Sequence, residues 1–444
     1  MEALMSAFVH PDEIRSRFSA ALSALYRAEV PQYGDLLTLV ADINAQALKA
    51  DASGADRLAA SGELARLSEE RHGAIRVGTA AELATIARAF AVMGMEPVSY
   101  YNLAPAGVPV HSTAFRPVDP AALAKNPFRV FTSLLRLELI EDETLRQEAT
   151  ATLARRDIFT PGARELIEMA ETAGGLDEAH ANRFVTELLE TFRWHAQATV
   201  SAETYERLVA AHRLIADVVS FKGPHINHLT PRTLDIDAAQ AAMPERGISP
   251  KETIEGPPAR ACPILLRQTS FKALQEAITF PGADGPTAGA HTARFGEIEQ
   301  RGCALTPAGR ALYDEALAKK DFSALPDDWD ALRRADLAWF RYRATSEGLA
   351  TRAETADLDA LIASGHVVAE PITYEDFLPV SAAGIFQSNL GSEARETAYA
   401  VDPAKADFEQ ALGRLVQDEM ALYRAEQEVS ITATLKALGL TEMV

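Results

Sequence analysis

Cysteine is nearly absent from this 444-residue chain: Cys262 and Cys303 are too few for a disulfide framework and do not form a CxxC pair. Both are expected to behave as buried, small apolar residues. Long apolar runs are missing as well, and nothing approaches the roughly 20 residues needed to cross a bilayer. The N-terminal stretch MEALMSAFVHPDEIRSRF carries acidic residues and no basic region ahead of an apolar one, so no secretory signal is expected and the cytoplasm is the default location. Positive charge is in deficit: 43 Lys and Arg stand against 63 Asp and Glu, a formal net charge of −20. Such a balance repels nucleic acid and anionic lipid, and no basic face with interleaved aromatics offsets it, so neither is expected as a partner. It also opposes entry of an anionic substrate, which would need local arginines.

What is present is an ordinary globular composition, 48% hydrophobic, in a chain long enough for two domains or one large elaborated one. Residues 11–50 carry apolar residues at three and four spacing, interrupted at Pro31 and Gly34, and predict two helices. From Arg71 the pattern changes to one strand (RHGAIRVGT), one helix with Thr79 as its N-cap, then three strands (EPVSYYNL, VHSTAFRPV and 128–140). Residues 141–219 are helical by period, broken at Pro161 and at Gly174 and Gly175, and show no clustered polar chemistry. The earlier order then returns: NHLTPRT as strand, LDIDAAQAAMPERGI as helix, CPILLRQTSFKAL and ARFGEIEQRGCAL as strands. The repeat is one of element order and not of residues. This gives an α+β fold of paired βαβββ modules: N-terminal helices at 1–70, a first module at 71–140, a helical insertion at 141–219, a second module at 220–310, and a C-terminal helical region at 311–444 expected to close a pocket.

Two histidines stand three apart in SFKGPHINHLTPRTLDI, and on a strand side chains three apart point to opposite faces. If both lie on the strand, at most one of His225 and His228 can face a shared site, and His228, which opens the strand, is the better candidate. His72 occupies a similar place on the first strand of the first module, and Glu297 and Glu299 share one face of the last strand of the second. Two histidines and one carboxylate would form the facial triad that leaves positions open on ferrous iron for O2 and a chelating substrate. Arg76 lies on the same strand face as His72, roughly 13 Å along it at about 3.3 Å per residue, and its planar fork suits a ligand carboxylate.

The strings RHGAIR, GPHINHLTPRTLDID, LLRQTSFKAL, RFGEIEQRG and EDFLPVSAAGIFQSNLG resemble the signatures of the 2-oxoadipate dioxygenase/decarboxylase family, also called hydroxyglutarate synthase, over nearly the whole chain. More distantly, the paired modules resemble the vicinal oxygen chelate superfamily and its curved sheet. The resemblance selects His228 and Glu297, with His72, as iron ligands and makes His225 and Glu299 their neighbours. It implies an Fe(II) enzyme that takes a 2-oxo acid and O2 and forms D-2-hydroxyglutarate and CO2 from 2-oxoadipate, a step in lysine catabolism. Arg76 is implied as the catalytic partner of the substrate carboxylate, with Gln268, Val380 and Ser381 lining the substrate site.

Two other readings compete. A metal-dependent lyase or isomerase without redox chemistry would draw a carboxylate from each module, and Glu138 is the only early acid so placed. A metal-free binding protein on the same scaffold would have no reason to keep three ligands.

Overall fold

The computed structural model of the chain describes residues 8–440 other than 61, 272–274, 284, 293, 295, 352–354 and 379–403. They fall into two compact units, one of Met1–Glu255, Gln268–Gln300 and Phe377–Val416, the other of Gly256–Arg267, Arg301–Asp376 and Gln417–Val444. No helix among the described residues is long and apolar enough to cross a membrane.

In the first unit the opening helices run over Pro11–Glu29 and Pro31–Ala50. Each begins with proline at its first position, where the missing N–H costs nothing and the fixed φ suits the helix. Pro31 thus starts the second helix, and Gly34, expected to break it, lies buried within it. Ile14, Phe18, Leu22, Leu25 and Tyr26, spaced by one turn, bury the inner face of the first helix. They join Phe90, Phe115, Phe128 and Phe192 in one core, while Leu36, Leu39 and Ile43 of the second helix pack with Ile236, Phe271 and Ile298 in another.

The first module has the expected order: β1 (Arg71–Val77), a helix at Ala80–Val92, β2 (Glu96–Asn102), β3 (Val110–Arg116) and β4 (Arg129–Leu135). Thr79 caps the helix, its hydroxyl accepting from the Glu82 N–H at 3.2 Å. A short helix at Pro120–Lys125, capped by Asp119, intervenes before β4, and β4 ends at Leu135 in a turn instead of running on to 140. β1 is buried along almost its whole length because it lies inside a sheet of order β2-β3-β4-β1-β5, parallel to β4 and antiparallel to β5 (Leu229–Pro231).

Residues 141–219 form helices at Glu143–Ala154, Pro161–Ala173, Glu178–Leu189, Ala202–Ala211 and Arg213–Ser220. Pro161 again opens a helix, behind the cap Thr160, and Gly174 closes it at φ 80°, a left-handed turn that favours glycine. In the second module β5 is only Leu229–Pro231, ending where proline removes a donor. After a helix at Ile236–Ala242 come β6 (Leu266–Ser270), β7 (Gln275–Phe280), β8 (Thr287–Thr292) and β9 (Glu297–Arg301). The β7–β8 hairpin was not expected from the sequence. β5 joins the sheet of the first module, while β6 pairs with β9 and β7 with β8.

The second unit departs from the expected helical C-terminal region. Beside helices at Pro307–Lys319, Trp329–Arg334 and Glu419–Ala437 it holds an antiparallel ladder of β10 (Phe340–Ala344) and β11 (Val367–Pro371). The long closing helix is interrupted at Gly413, φ 77°, so that Ala404–Leu412 and Glu419–Ala437 are separate helices in different units. Cys262 and Cys303 are free and buried, as expected.

Candidate metal and substrate site

Three strands of the first unit converge on one point. His72 is the second residue of β1, His228 immediately precedes β5, and Glu297 opens β9. The antiparallel register pairs His72 with Thr230, which brings the start of β5 against β1. His72 Nε2 lies 3.1 Å from Glu297 Oε2, and His228 Nε2 lies 3.6 Å from the same oxygen. The Thr230 hydroxyl donates to that oxygen at 3.0 Å. The two imidazoles stand nearly perpendicular, their centroids 5.3 Å apart. One ligand atom from each of the three residues lies within 4.8 Å of the others, and all three side chains are buried.

The donor set fits a first-row divalent metal. Imidazole nitrogen and carboxylate oxygen bind such ions at about 2.0–2.2 Å, so atoms sharing one ion must lie within about 4.4 Å or so of each other, close to what these residues offer. Burial, helped by His72 and Arg76, pushes His228 well below the ordinary histidine range, leaving the neutral ring that ligates metals. Burial also opposes charge on His72, but Glu299 and Glu297 outweigh it and raise that ring's proton affinity.

A second polar cluster adjoins the first along β1. Arg76, four residues beyond His72, is buried and donates from Nη1 to Asp217 Oδ2 at 2.5 Å. Asp217 comes from the helix at Arg213–Ser220, so the expectation of no polar chemistry in the insertion is wrong: an amphipathic helix turned this acid inward. Its other oxygen, Oδ1, lies 2.9 Å from His291 Nε2 on β8 and 3.4 Å from His225 Nε2. Burial alone would raise the Asp217 carboxyl, but the Arg76 charge above all, with the hydrogen bond from His291, holds it well below the usual carboxylate range. An ionised carboxylate only accepts, so His291 Nε2 donates, and its Nδ1 lies 2.8 Å from the Tyr205 hydroxyl. Burial lowers His225 to about 3 against the pull of Asp217, so that ring is neutral and its long contact is no ion pair. With the Asn227 amide oriented so that Nδ2 donates to the Ala74 carbonyl at 3.2 Å, its Oδ1 accepts from Arg76 Nη1 and His225 Nε2, each at 3.1 Å. Trp194 stacks on His291 at 5.9 Å and meets His225 edge-on at 4.7 Å.

Gln268 lies on β6, its backbone bonded to Glu255 in both directions. The side chain is buried, and neither amide atom has a hydrogen-bond partner among the described residues. A buried amide left unsatisfied costs about 1–3 kcal/mol, which makes it a place to expect a ligand. Val380 and Ser381 lie outside the described residues. Glu138, the acid required by the lyase reading, follows β4 in the turn Leu137–Leu139, with its side chain 62% exposed and paired to Arg136 at 2.7 Å.

Comparison with known proteins decides the family. A profile described as 2-oxoadipate dioxygenase/decarboxylase matches residues 18–389. The chain belongs to the 2-oxoadipate dioxygenase/decarboxylase family. It is 57% identical to the 2-oxoadipate dioxygenase/decarboxylase of Pseudomonas putida, over 98% of this chain and 99% of that one. With the Escherichia coli enzyme of the same name it shares 58% identity over 96% and 98% of the two chains. The crystal structure of the hydroxyglutarate synthase of P. putida in complex with 2-oxoadipate superposes with a TM-score of 0.90 at 55% identity, covering 98% of this chain and all of that one. Membership in the 2-oxoadipate dioxygenase/decarboxylase family agrees with the resemblance read from RHGAIR and RFGEIEQRG. The Asp217, His291, Tyr205 and Trp194 cluster was not anticipated, and nothing in the local sequence marks it.

Proposed function

We propose that the chain is an Fe(II) enzyme that converts 2-oxoadipate and O2 to D-2-hydroxyglutarate and CO2, a step of lysine breakdown. The observation that carries this reading is the buried His72, His228 and Glu297 triad in a chain so similar to relatives named for that substrate. The reaction balances without a co-substrate: the carboxyl beside the keto carbon leaves as CO2, the keto carbon becomes a carboxylate with one oxygen atom of O2, and the other atom is retained as the hydroxyl on the neighbouring carbon.

Iron bound by the triad supplies open positions for a chelating oxo acid and for O2, and the electrons that let O2 react. Everything else is the work of the chain. His228 offers a neutral nitrogen, Glu297 brings one negative charge to a dication, and the Thr230 hydroxyl holds the carboxylate in place. Arg76, fixed by Asp217 and Asn227, is the substrate-carboxylate partner, because its planar fork matches a carboxylate. The Gln268 amide is a second polar contact for the substrate. The exposed Glu138 weighs against the lyase reading.

Oxygen uptake by anaerobically iron-loaded protein tests the proposal. Rapid uptake is expected with 2-oxoadipate, yielding one CO2 and one D-2-hydroxyglutarate per O2, with slower uptake on 2-oxoglutarate and on a hydroxyphenylpyruvate. With 18O2 both labelled atoms should appear in the hydroxy acid. Iron-loaded protein that consumes no oxygen with any of the three acids would overturn it, and protein purified without a chelating column and free of any divalent metal would favour the binding-protein reading.

A further inference from the structure

Glu299 has no part in the triad, yet it is fully buried beside it. Two residues beyond Glu297 on β9, it shares that residue's strand face. The His72 ring lies between the two acids: Nε2 is 3.1 Å from Glu297 Oε2, and Nδ1 is 2.8 Å from Glu299 Oε2, a charge contact that lies off the axis of a hydrogen bond. One imidazole is thus spanned by both carboxylates of the GEIEQR string, one at each nitrogen.

The surroundings hold Glu299 where it is. Its backbone carbonyl accepts from the Thr233 N–H at 2.7 Å, which ties β9 to the chain just beyond β5. Arg129 Nη1 stands 4.0 Å from Glu299 Oε1, and Arg129 Nη2 pairs with Glu70 at 2.8 Å. Arg129 lies directly opposite His72 in the β1–β4 register, so the sheet itself sets this spacing. Glu70 in turn takes Arg232 at 2.9 Å, and Arg232 reaches Glu63 at 2.6 Å. Burial opposes the charge on Arg232, but Glu70 and Glu63 outweigh it. A chain of alternating charges, buried from Arg232 inward, therefore ends at the back of the His72 ring.

We propose that Glu299 is a positioning residue for the metal ligand His72: its carboxylate keeps the proton on Nδ1 and the ring turned so that the Nε2 lone pair faces Glu297 and His228. A carboxylate behind a ligating histidine fixes its tautomer and orientation and raises its basicity. The inference rests on reading the triad as a metal centre, and it does not depend on which substrate that centre serves.

The test is calorimetric titration of chelator-treated, full-length protein with Co(II). Glu299→Gln, which preserves shape and leaves an amide oxygen able to accept from Nδ1, is expected to weaken Co(II) binding about 10-fold, and Glu299→Ala up to about 100-fold. The visible bands of the Co(II)-loaded variants should shift, a change that loss of packing elsewhere would not cause. Thermal unfolding of the metal-free proteins shows whether each variant is folded, and Glu299→Gln is the deciding one if Glu299→Ala is not. Co(II) affinity of Glu299→Gln within threefold of wild type, with unchanged bands, would overturn the proposal. His72→Ala in the same titration separates the two levels: if it loses Co(II) while Glu299→Gln does not, only the role of Glu299 fails, and if it too binds as wild type, the triad reading fails with it.

Discussion

Replacing His228 by alanine is expected to abolish retention of the divalent metal and, with it, oxygen uptake on 2-oxoadipate. His225→Ala should keep its metal. The two histidines are three residues apart and equally buried, but His228 Nε2 faces Glu297 while His225 Nε2 faces Asp217 and Asn227. Removing a ligand should cost more than the roughly 10- to 100-fold typical of losing a supporting residue. Metal analysis after gel filtration, with circular dichroism to establish folding, is the measurement. Metal kept by His228→Ala and lost by His225→Ala would place the centre at the Asp217 cluster instead.

The second large effect is expected at Arg76. If its guanidinium receives a substrate carboxylate in a dry pocket, its removal leaves that charge buried and unpaired at a cost of roughly 2–5 kcal/mol. At about 1.4 kcal/mol per tenfold, kcat/KM on 2-oxoadipate should fall by roughly 30-fold to a few thousand-fold in Arg76→Ala, with metal content near wild type. Arg76→Lys should recover part of the loss, because a point charge lacks the two-pronged contact. The structure adds a complication, since Arg76→Ala also strips Asp217 of its ion-pair partner. Asp217 is held below the ordinary carboxylate range, so its ionised form contributes stability at neutral pH that is lost only as the pH falls below about 4 toward its folded value. Without Arg76 much of that contribution goes. Pairing Arg76→Ala with Asp217→Asn removes the stranded charge, so the double variant should regain thermal stability and still fail on 2-oxoadipate. A double variant that regains both would show that Arg76 serves only Asp217.

Local rules brought the candidate ligands into view, and the resemblance chose among them. Strand alternation put Glu297 and Glu299 on one face, whereas the alternation argument for His225 and His228 assumed a strand that begins only at Leu229, and the irregular backbone before it turns the two rings apart. Asp217 was not legible: in LIADVVS it looks like the polar side of an amphipathic helix, and what makes it an inward partner is a strand 141 positions earlier. His291 was missed for another reason. It sits on a hairpin strand of small residues, TAGAHT, whose period is carried by too little side chain to read. Pro31 and Pro161 were read as breaks and are helix starts, since the same fixed φ serves both uses and only the following residues distinguish them.

His72 and Glu297 meet although 225 positions separate them along the chain. The loop their contact closes contains the whole run of helices between the modules. Contacts of such long range come at the expense of folding speed, because chain entropy must be surrendered before they return anything. The triad is therefore expected to form late, on a sheet already paired. An ion bound there acts on the finished fold by mass action, and its signature is a longer-lived native state, with slower unfolding and an unaltered rate of folding.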